Sequence, residues 1–218
     1  MTAVGVIGAG RIGSMVARHL THAGHDVVIS FSRDQDRLTA TAVEIGARAG
    51  TPQDAAGADV VILSVPWTAI DDVVAQVDLD DKIVVDTTNQ FGANGWEEIP
   101  GGLTAAQLNQ RRMPGARYVK SFNTLTAAFQ ASEAGRPAES RVVQWICGDD
   151  EDAKATVAQL IRDAGFEPVD VGGVADAAVM EAPRREGSVY GEEYRPADAR
   201  AVVEAVRAGR PIPPTPRY

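Results

Sequence analysis

The chain has 218 residues, 44% of them hydrophobic and 23% charged, which supplies a packed core and excludes wholesale disorder. Its formal net charge of -9, with no run of Lys or Arg, argues against nucleic acid or an anionic membrane surface as a partner. A single cysteine, Cys147, excludes an internal disulfide, no His/Cys cluster has metal-ligand spacing, and the apolar start at Val4 to Ala9 is too short for a signal peptide or a membrane span, so a cytoplasmic protein without a metal is expected.

Val4-Gly5-Val6-Ile7 is a short apolar run closed by Gly8, and apolar residues then recur at helical spacing from Ile12 to Ala23 until Gly24 ends them. This reads as strand, turn, helix. Further β-branched runs follow at Val27 to Ile29, Asp59 to Val65 and Lys82 to Asp86, and strands are predicted at Ala116 to Lys120 and Arg141 to Cys147. Asp150 to Ala164 is an amphipathic helix opened by acidic residues that suit its dipole, followed by a short strand at Glu167 to Val171. Such alternation predicts a mostly parallel, doubly wound α/β sheet of Rossmann type with helices on both faces, because parallel strands need crossover connections. After Gly172-Gly173 the pattern changes to a short helical stretch at Val174 to Glu181, a polar irregular stretch, a last helix at Ala197 to Ala208 and a proline-rich tail.

Gly8-Ala9-Gly10-Arg11-Ile12-Gly13 is a GxGxxG placed after the first strand and opening the first helix. The first glycine permits the tight turn, the second lets the backbone approach a pyrophosphate, and the third lets helix and strand pack closely. The pyrophosphate then meets the unpaired N–H groups of the helix N-terminus. An NAD site would carry an Asp or Glu at the end of the second strand, but here that stretch is Ser30-Phe31-Ser32-Arg33. The Ser32 hydroxyl and the Arg33 guanidinium suit a 2′-phosphate and point to NADP(H), the alternative being a surface Arg33 paired with Asp34 or Asp36. Residues 1–172 are therefore assigned as an NADP(H)-binding domain, and residues 173–218 as a segment contributing to an acceptor pocket or a dimer interface.

Taken in order, Val4 to Gly13, VISFSR at Val28 to Arg33, ILSVP at Ile62 to Pro66, VVDTTN at Val84 to Asn89 and VKSFNT at Val119 to Thr124 resemble the landmarks of the deazaflavin-dependent NADP oxidoreductases. That family passes a hydride between NADP(H) and the deazaflavin coenzyme F-420. The resemblance implies that Ser32 and Arg33 hold the 2′-phosphate, that Ser64, Val65 and Pro66 line the dinucleotide, and that Asn89 and the Ser121-Phe122-Asn123 turn lie near the nicotinamide. These positions fall at predicted strand ends, where doubly wound sheets bind ligands. Turn chemistry accounts equally for Asn89 and Asn123, and Trp67 serves either as a stacking surface or as an apolar plug. The family's Gly-x-Leu helix and Ala-Arg pair after the last strand are absent from Gly173 to Gly187, which leaves the hydride acceptor open.

Two other functions fit the same residues: an NADPH-dependent reductase of a small imine or carbonyl compound, with Tyr190, Tyr194 or water as proton donor, and a non-catalytic NADP(H)-binding module. No catalytic side chain is assigned. His19, His22 and His25 read as a solvated face and Cys147 as a buried apolar residue. The expected working unit is a homodimer acting on a small molecule or a deazaflavin.

Overall fold

The computed structural model describes residues 1–31 and 34–218. The expected sites Ser32 and Arg33 lie outside the described residues. The first half of the chain contributes β1 (Ala3–Ile7), α1 (Arg11–His22), β2 (Asp26–Ser30), α2 (Gln35–Ile45), β3 (Arg48–Ala49), α3 (Pro52–Ala56), β4 (Val60–Leu63), α4 (Ile70–Val74) and β5 (Ile83–Asp86). Next come a small ribbon of β6 (Phe91–Gly92) and β7 (Gly95–Trp96), then α5 (Ala105–Arg112), β8 (Arg117–Lys120), α6 (Ala127–Glu133), β9 (Val143–Gly148), α7 (Glu151–Asp163) and β10 (Glu167–Gly172). A 3-10 turn at Val174–Met180 and α8 (Pro196–Arg207) complete the order.

Eight strands form one sheet in the order β10-β9-β8-β5-β4-β1-β2-β3. Every described pairing in it is parallel except β8 with β9, so the sheet is the mostly parallel one expected. Alternation along the strands splits the core in two. Val4, Val6, Val27, Ile29, Val60, Ile62 and Val85 pack with Met15, Val16 and Leu20 of α1 and Val157, Leu160 and Ile161 of α7. Ile7, Val61, Leu63, Val84, Trp145 and Val171 face the opposite way.

That opposite face also takes up the C-terminal segment: Val174, Ala177, Met180, Val189, Tyr194, Ala199 and Val202 belong to the same buried cluster, and α8 lies on β10. Residues 173–218 thus add no strand but complete one layer of the core. Arg184 and Arg185 of this segment are taken up locally. Arg185 donates to the carbonyls of Glu181, Pro183 and Ala178, and Arg184 donates to the Glu192 carboxylate. Among the described residues, no helix is long and apolar enough to cross a membrane, and no group of three or more His, Cys, Asp or Glu is placed to hold a metal ion.

Candidate functional site: a groove across the glycine turn

The ends of β1, β2, β4 and β5 open onto one edge of the sheet, and two adjoining cavities run along it. The first, of about 380 Å3, is lined by Gly8, Ala9, Gly10, Phe31, Asp34, Arg37, Ser64, Val65, Pro66 and Ala69. The second, of about 450 Å3, shares Gly10 and Ser64 to Pro66 and extends to Arg11, Ile12, Trp67, Thr87, Thr88, Asn89 and Phe91. Together they make an elongated groove with the glycine turn at its centre.

Each glycine of the turn has its own steric reason. Gly8 adopts φ +122, and a Cβ there would sit 2.1 Å from the Ser64 carbonyl oxygen. At Gly13 a Cβ would lie 1.9 Å from the Gly8 carbonyl oxygen, so only glycine lets α1 start this close to β1. Gly10 is different: among the described residues a Cβ would meet nothing within 4 Å, and the position lines the open groove. Gly10 is also the N-cap of α1, with no side chain capping the helix and no acid in its first turn. A bare helix N-terminus facing a groove floor without side chains fits the pyrophosphate of a dinucleotide.

Of the residues singled out from sequence, the structure brings Gly8, Ala9, Gly10, Arg11, Ile12, Ser64, Val65, Pro66, Trp67 and Asn89 together around the groove, with Gly13 packed beneath it. Trp67 is both wall and plug. It is 7% exposed, and the Arg112 guanidinium carbon sits 4.7 Å from its ring centroid while Arg112 Nε pairs with Asp71 at 2.9 Å. Ser121 is fully buried and donates to the Trp145 carbonyl at 2.8 Å, behind the groove rather than on its surface.

Asn89 and Asn123 act on each other. Asn89 Nδ2 donates to the Asn123 carbonyl at 2.9 Å, and Asn123 Nδ2 donates to Asn89 Oδ1 at 3.2 Å and to the Met180 carbonyl at 2.7 Å. The Ala182 N–H adds a further bond to Asn89 Oδ1 at 3.3 Å. The two carboxamides tie the ends of β5 and β8 to the C-terminal segment, which is the turn-stabilising role that Asn residues commonly take.

Two features of the site have no counterpart in the sequence reading. The first is Arg37, near the start of α2, which lines the cavity beyond Gly8 to Gly10 and supplies a cation at that end. The second is a charged network directly under the turn at Thr87 to Asn89. Lys120 Nζ lies 3.0 Å from Asp86 Oδ2, and both side chains are fully buried. Tyr118 Oη and Asn109 Nδ2 donate to the same carboxylate oxygen at 2.5 and 2.8 Å. Thr88 is held at three atoms: its N–H donates to Asp86 Oδ1 at 2.7 Å, its carbonyl accepts from Lys120 Nζ at 2.8 Å, and its hydroxyl accepts from Asn109 at 3.3 Å. A buried charge on an apolar strand is the sequence signal that could have exposed this pair, since Asp86 ends IVVD and Lys120 ends RYVK.

Burial alone would push the Asp86 carboxyl up, but the Lys120 ammonium, the Tyr118 and Asn109 donors and the Thr88 N–H outweigh it and hold the group below the usual carboxylate range. Burial likewise disfavours the Lys120 ammonium, and the Asp86 and Glu181 carboxylates outweigh it and raise the group. Burial and the Asp86 charge push the Tyr118 phenol well up, so it stays a neutral donor. The turn facing the second cavity therefore rests on an ion pair with few missing hydrogen bonds.

Comparison with known proteins agrees with this geometry. A crystal structure of a hypothetical protein from Sinorhizobium meliloti is 34% identical, superposes with a TM-score of 0.80, and covers 89% of this chain and 96% of its own. Residues 3–90 match the family described as NADP oxidoreductase, coenzyme F420-dependent. The chain carries this family's domain over those residues. The match runs from β1 to the residue after Asn89, so it spans the segments that line most of both cavities.

The chain therefore has the dinucleotide-binding region of an NADP-dependent oxidoreductase. A protein from Arthrobacter sp. FB24, named as a candidate F420-dependent NADP reductase, is 26% identical with a TM-score of 0.67 over 81% of this chain and 87% of that one. Metalloreductase STEAP3 of Rattus norvegicus is 28% identical over 180 residues, 82% of this chain. The chain spans 36% of that curated relative's length.

Proposed function

We propose that the protein transfers a hydride between NADP(H) and a planar acceptor of the deazaflavin type, coenzyme F-420. The observation that carries this reading is the lining of the second cavity, in which, among the described residues, Arg11 is the only ionisable side chain and the rest are glycine, hydroxyl, amide and apolar groups. Such a wall can position two rings and exclude water but has no carboxylate, histidine or lysine to act as acid or base. When bound, NADPH supplies a hydride from its dihydronicotinamide ring and leaves as NADP+. In this reading the residues of Gly8 to Gly13 seat the pyrophosphate, Val65, Pro66 and Trp67 form one wall for the nicotinamide, and the braced turn at Thr87 to Asn89 forms the other.

The reading is tested by mixing protein, NADPH and oxidised deazaflavin and following both absorbances. Equimolar loss of NADPH and oxidised deazaflavin supports it, whereas turnover with small imines or carbonyls alone overturns it. Against that rival stands the position of its proton donors. Tyr194 is buried with its ring 5.3 Å from Trp145, and Tyr190 lines neither cavity of the groove. Tyr190→Phe and Tyr194→Phe are expected to keep turnover within about tenfold, measured as kcat with the deazaflavin; a thousandfold loss in either would assign it general-acid chemistry.

We further propose that Ser32, Arg33 and Arg37 read the 2′-phosphate. The resemblance carries the first two, and the position of Arg37 in the cavity wall supports the third. A charge-assisted hydrogen bond contributes about 1.5–3 kcal/mol, so Arg33→Ala and Arg37→Ala should each weaken NADPH about tenfold to a hundredfold and leave NADH nearly unchanged. Titration of both cofactors checks this, and equal affinity of the wild type for NADPH and NADH would refute it.

A further inference from the structure

We infer that the β6–β7 ribbon is a stacking platform for the flat ring system of the hydride acceptor, with Phe91 and Trp96 as its contact residues. The inference rests on the hydride-to-planar-acceptor reading and adds the place where the ring is held. Among the described residues the large hydrophobic side chains left exposed are Met1, Val43, Phe91, Trp96 and Tyr218. Met1 and Val43 each stand apart from the groove and the Arg195 guanidinium lies 3.9 Å over the Tyr218 ring, but Phe91 and Trp96, 45% and 44% exposed, are partners across the ribbon. Directly opposed residues of an antiparallel pair project from the same face, so the two rings present one surface.

This surface continues the cofactor groove, because Phe91 lines the second cavity beside Asn89 and Trp67. It is also rigid. The Trp96 indole N–H donates to the Ala182 carbonyl at 3.0 Å, the Glu97 N–H donates to the Gln90 carbonyl at 2.9 Å, and the ribbon springs from Asn89, which is locked to Asn123 and Ala182. Apolar rings left in water forgo burial, and an anchored, exposed aromatic pair marks a binding surface. Two half-exposed rings offer only about 200 Å2, whereas a stable protein interface takes about 800 Å2 per partner. The area matches a ring system, not a second subunit, and aromatic faces reward offset stacking with planar ligands.

The test uses riboflavin, an uncharged planar ring system, as the probe on the full chain saturated with NADP+, with binding measured by equilibrium dialysis. Wild type should bind it saturably, and Phe91→Ala and Trp96→Ala should each weaken binding tenfold or more. Trp96→Phe, which keeps a ring but loses the bond to Ala182, should recover most of the affinity, and its recovery separates lost stacking from lost folding. Unchanged affinity in both alanine variants, or no saturable binding by the wild type, overturns the platform. So does a light-scattering result in which the alanine variants change subunit number while ring binding stays the same. Hydride transfer is followed separately with NADPH and deazaflavin: ring binding that depends on Phe91 and Trp96 without any hydride transfer would reject the proposed activity and leave the platform standing.

Discussion

Replacing Lys120 by methionine is expected to destabilise the fold by about 3–5 kcal/mol at neutral pH, because it strands the Asp86 carboxylate in a site with no exposure to water. Measured by urea unfolding, the midpoint should fall without a large change in slope. The pH dependence gives a second check. In the wild type the depressed Asp86 carboxyl contributes stability above the ordinary carboxylate value, 3.8, and that contribution is lost as pH falls through its lowered folded value. The raised Lys120 group contributes stability below the ordinary lysine value, 10.5, and that contribution is lost as pH rises through its higher folded value. The gap between wild type and Lys120→Met should therefore be widest between those limits and narrow on the acid side, where Asp86 in the variant takes up a proton. Converting Asp86 to asparagine in the same chain should restore part of the loss, since it removes the stranded charge and keeps a carbonyl oxygen to accept from Tyr118 and Asn109. A gap that does not narrow between neutral pH and about pH 2 would show that the pair is not the source of the effect.

Gly10→Ala and Gly13→Ala are expected to separate binding from folding. At Gly10 the new methyl group meets no atom of the described residues, so stability should stay within about 0.5 kcal/mol of wild type. It does project into the groove where the pyrophosphate approaches, and NADPH affinity should drop about a hundredfold, near 2.7 kcal/mol. At Gly13 the methyl group would overlap the Gly8 carbonyl, and the helix must move off the strand at a cost of about 1–3 kcal/mol. Thermal melts with and without NADPH distinguish the two variants. Gly10→Ala should melt like wild type alone but gain little from the cofactor, and Gly13→Ala should melt early in both conditions. A Gly10→Ala chain that is stabilised by NADPH as strongly as wild type would show that the dinucleotide does not cross the glycine turn.

The sequence was most legible where a residue's role depends on its neighbours in the chain. The GxGxxG turn, the strands before and after it and the strand-end position of Ser64 to Trp67 follow from local periodicity and glycine spacing, and each is present in the fold. The Asp86–Lys120 pair was missed because its partners stand 34 residues apart and meet only when β5 and β8 pair. Arg37 was missed for a related reason, since a helix-start arginine reads as surface charge until the cavity wall is seen. The exposed ribbon at Phe91 and Trp96 is too short to leave a periodic signal. The antiparallel direction of β9 also gives no local signature, because a buried strand carries the same residues whichever way it runs.

The lock between Asn89, Trp96, Asn123 and the carbonyls and N–H of Met180 and Ala182 has a consequence for the order in which the molecule matures. The described residues lining the two cavities all lie between positions 8 and 91, so the segments that make the groove emerge early during synthesis, and the turn at Thr87 to Asn89 is braced once Lys120 has followed. Ala182 reaches Asn89 across 93 residues and Trp96 across 86, contacts whose closure must wait for residue 182 and is entropically slow. A nascent or refolding chain should therefore become able to grip the dinucleotide before its ribbon is fixed in place, and early NADPH would act as a template on which the later half assembles.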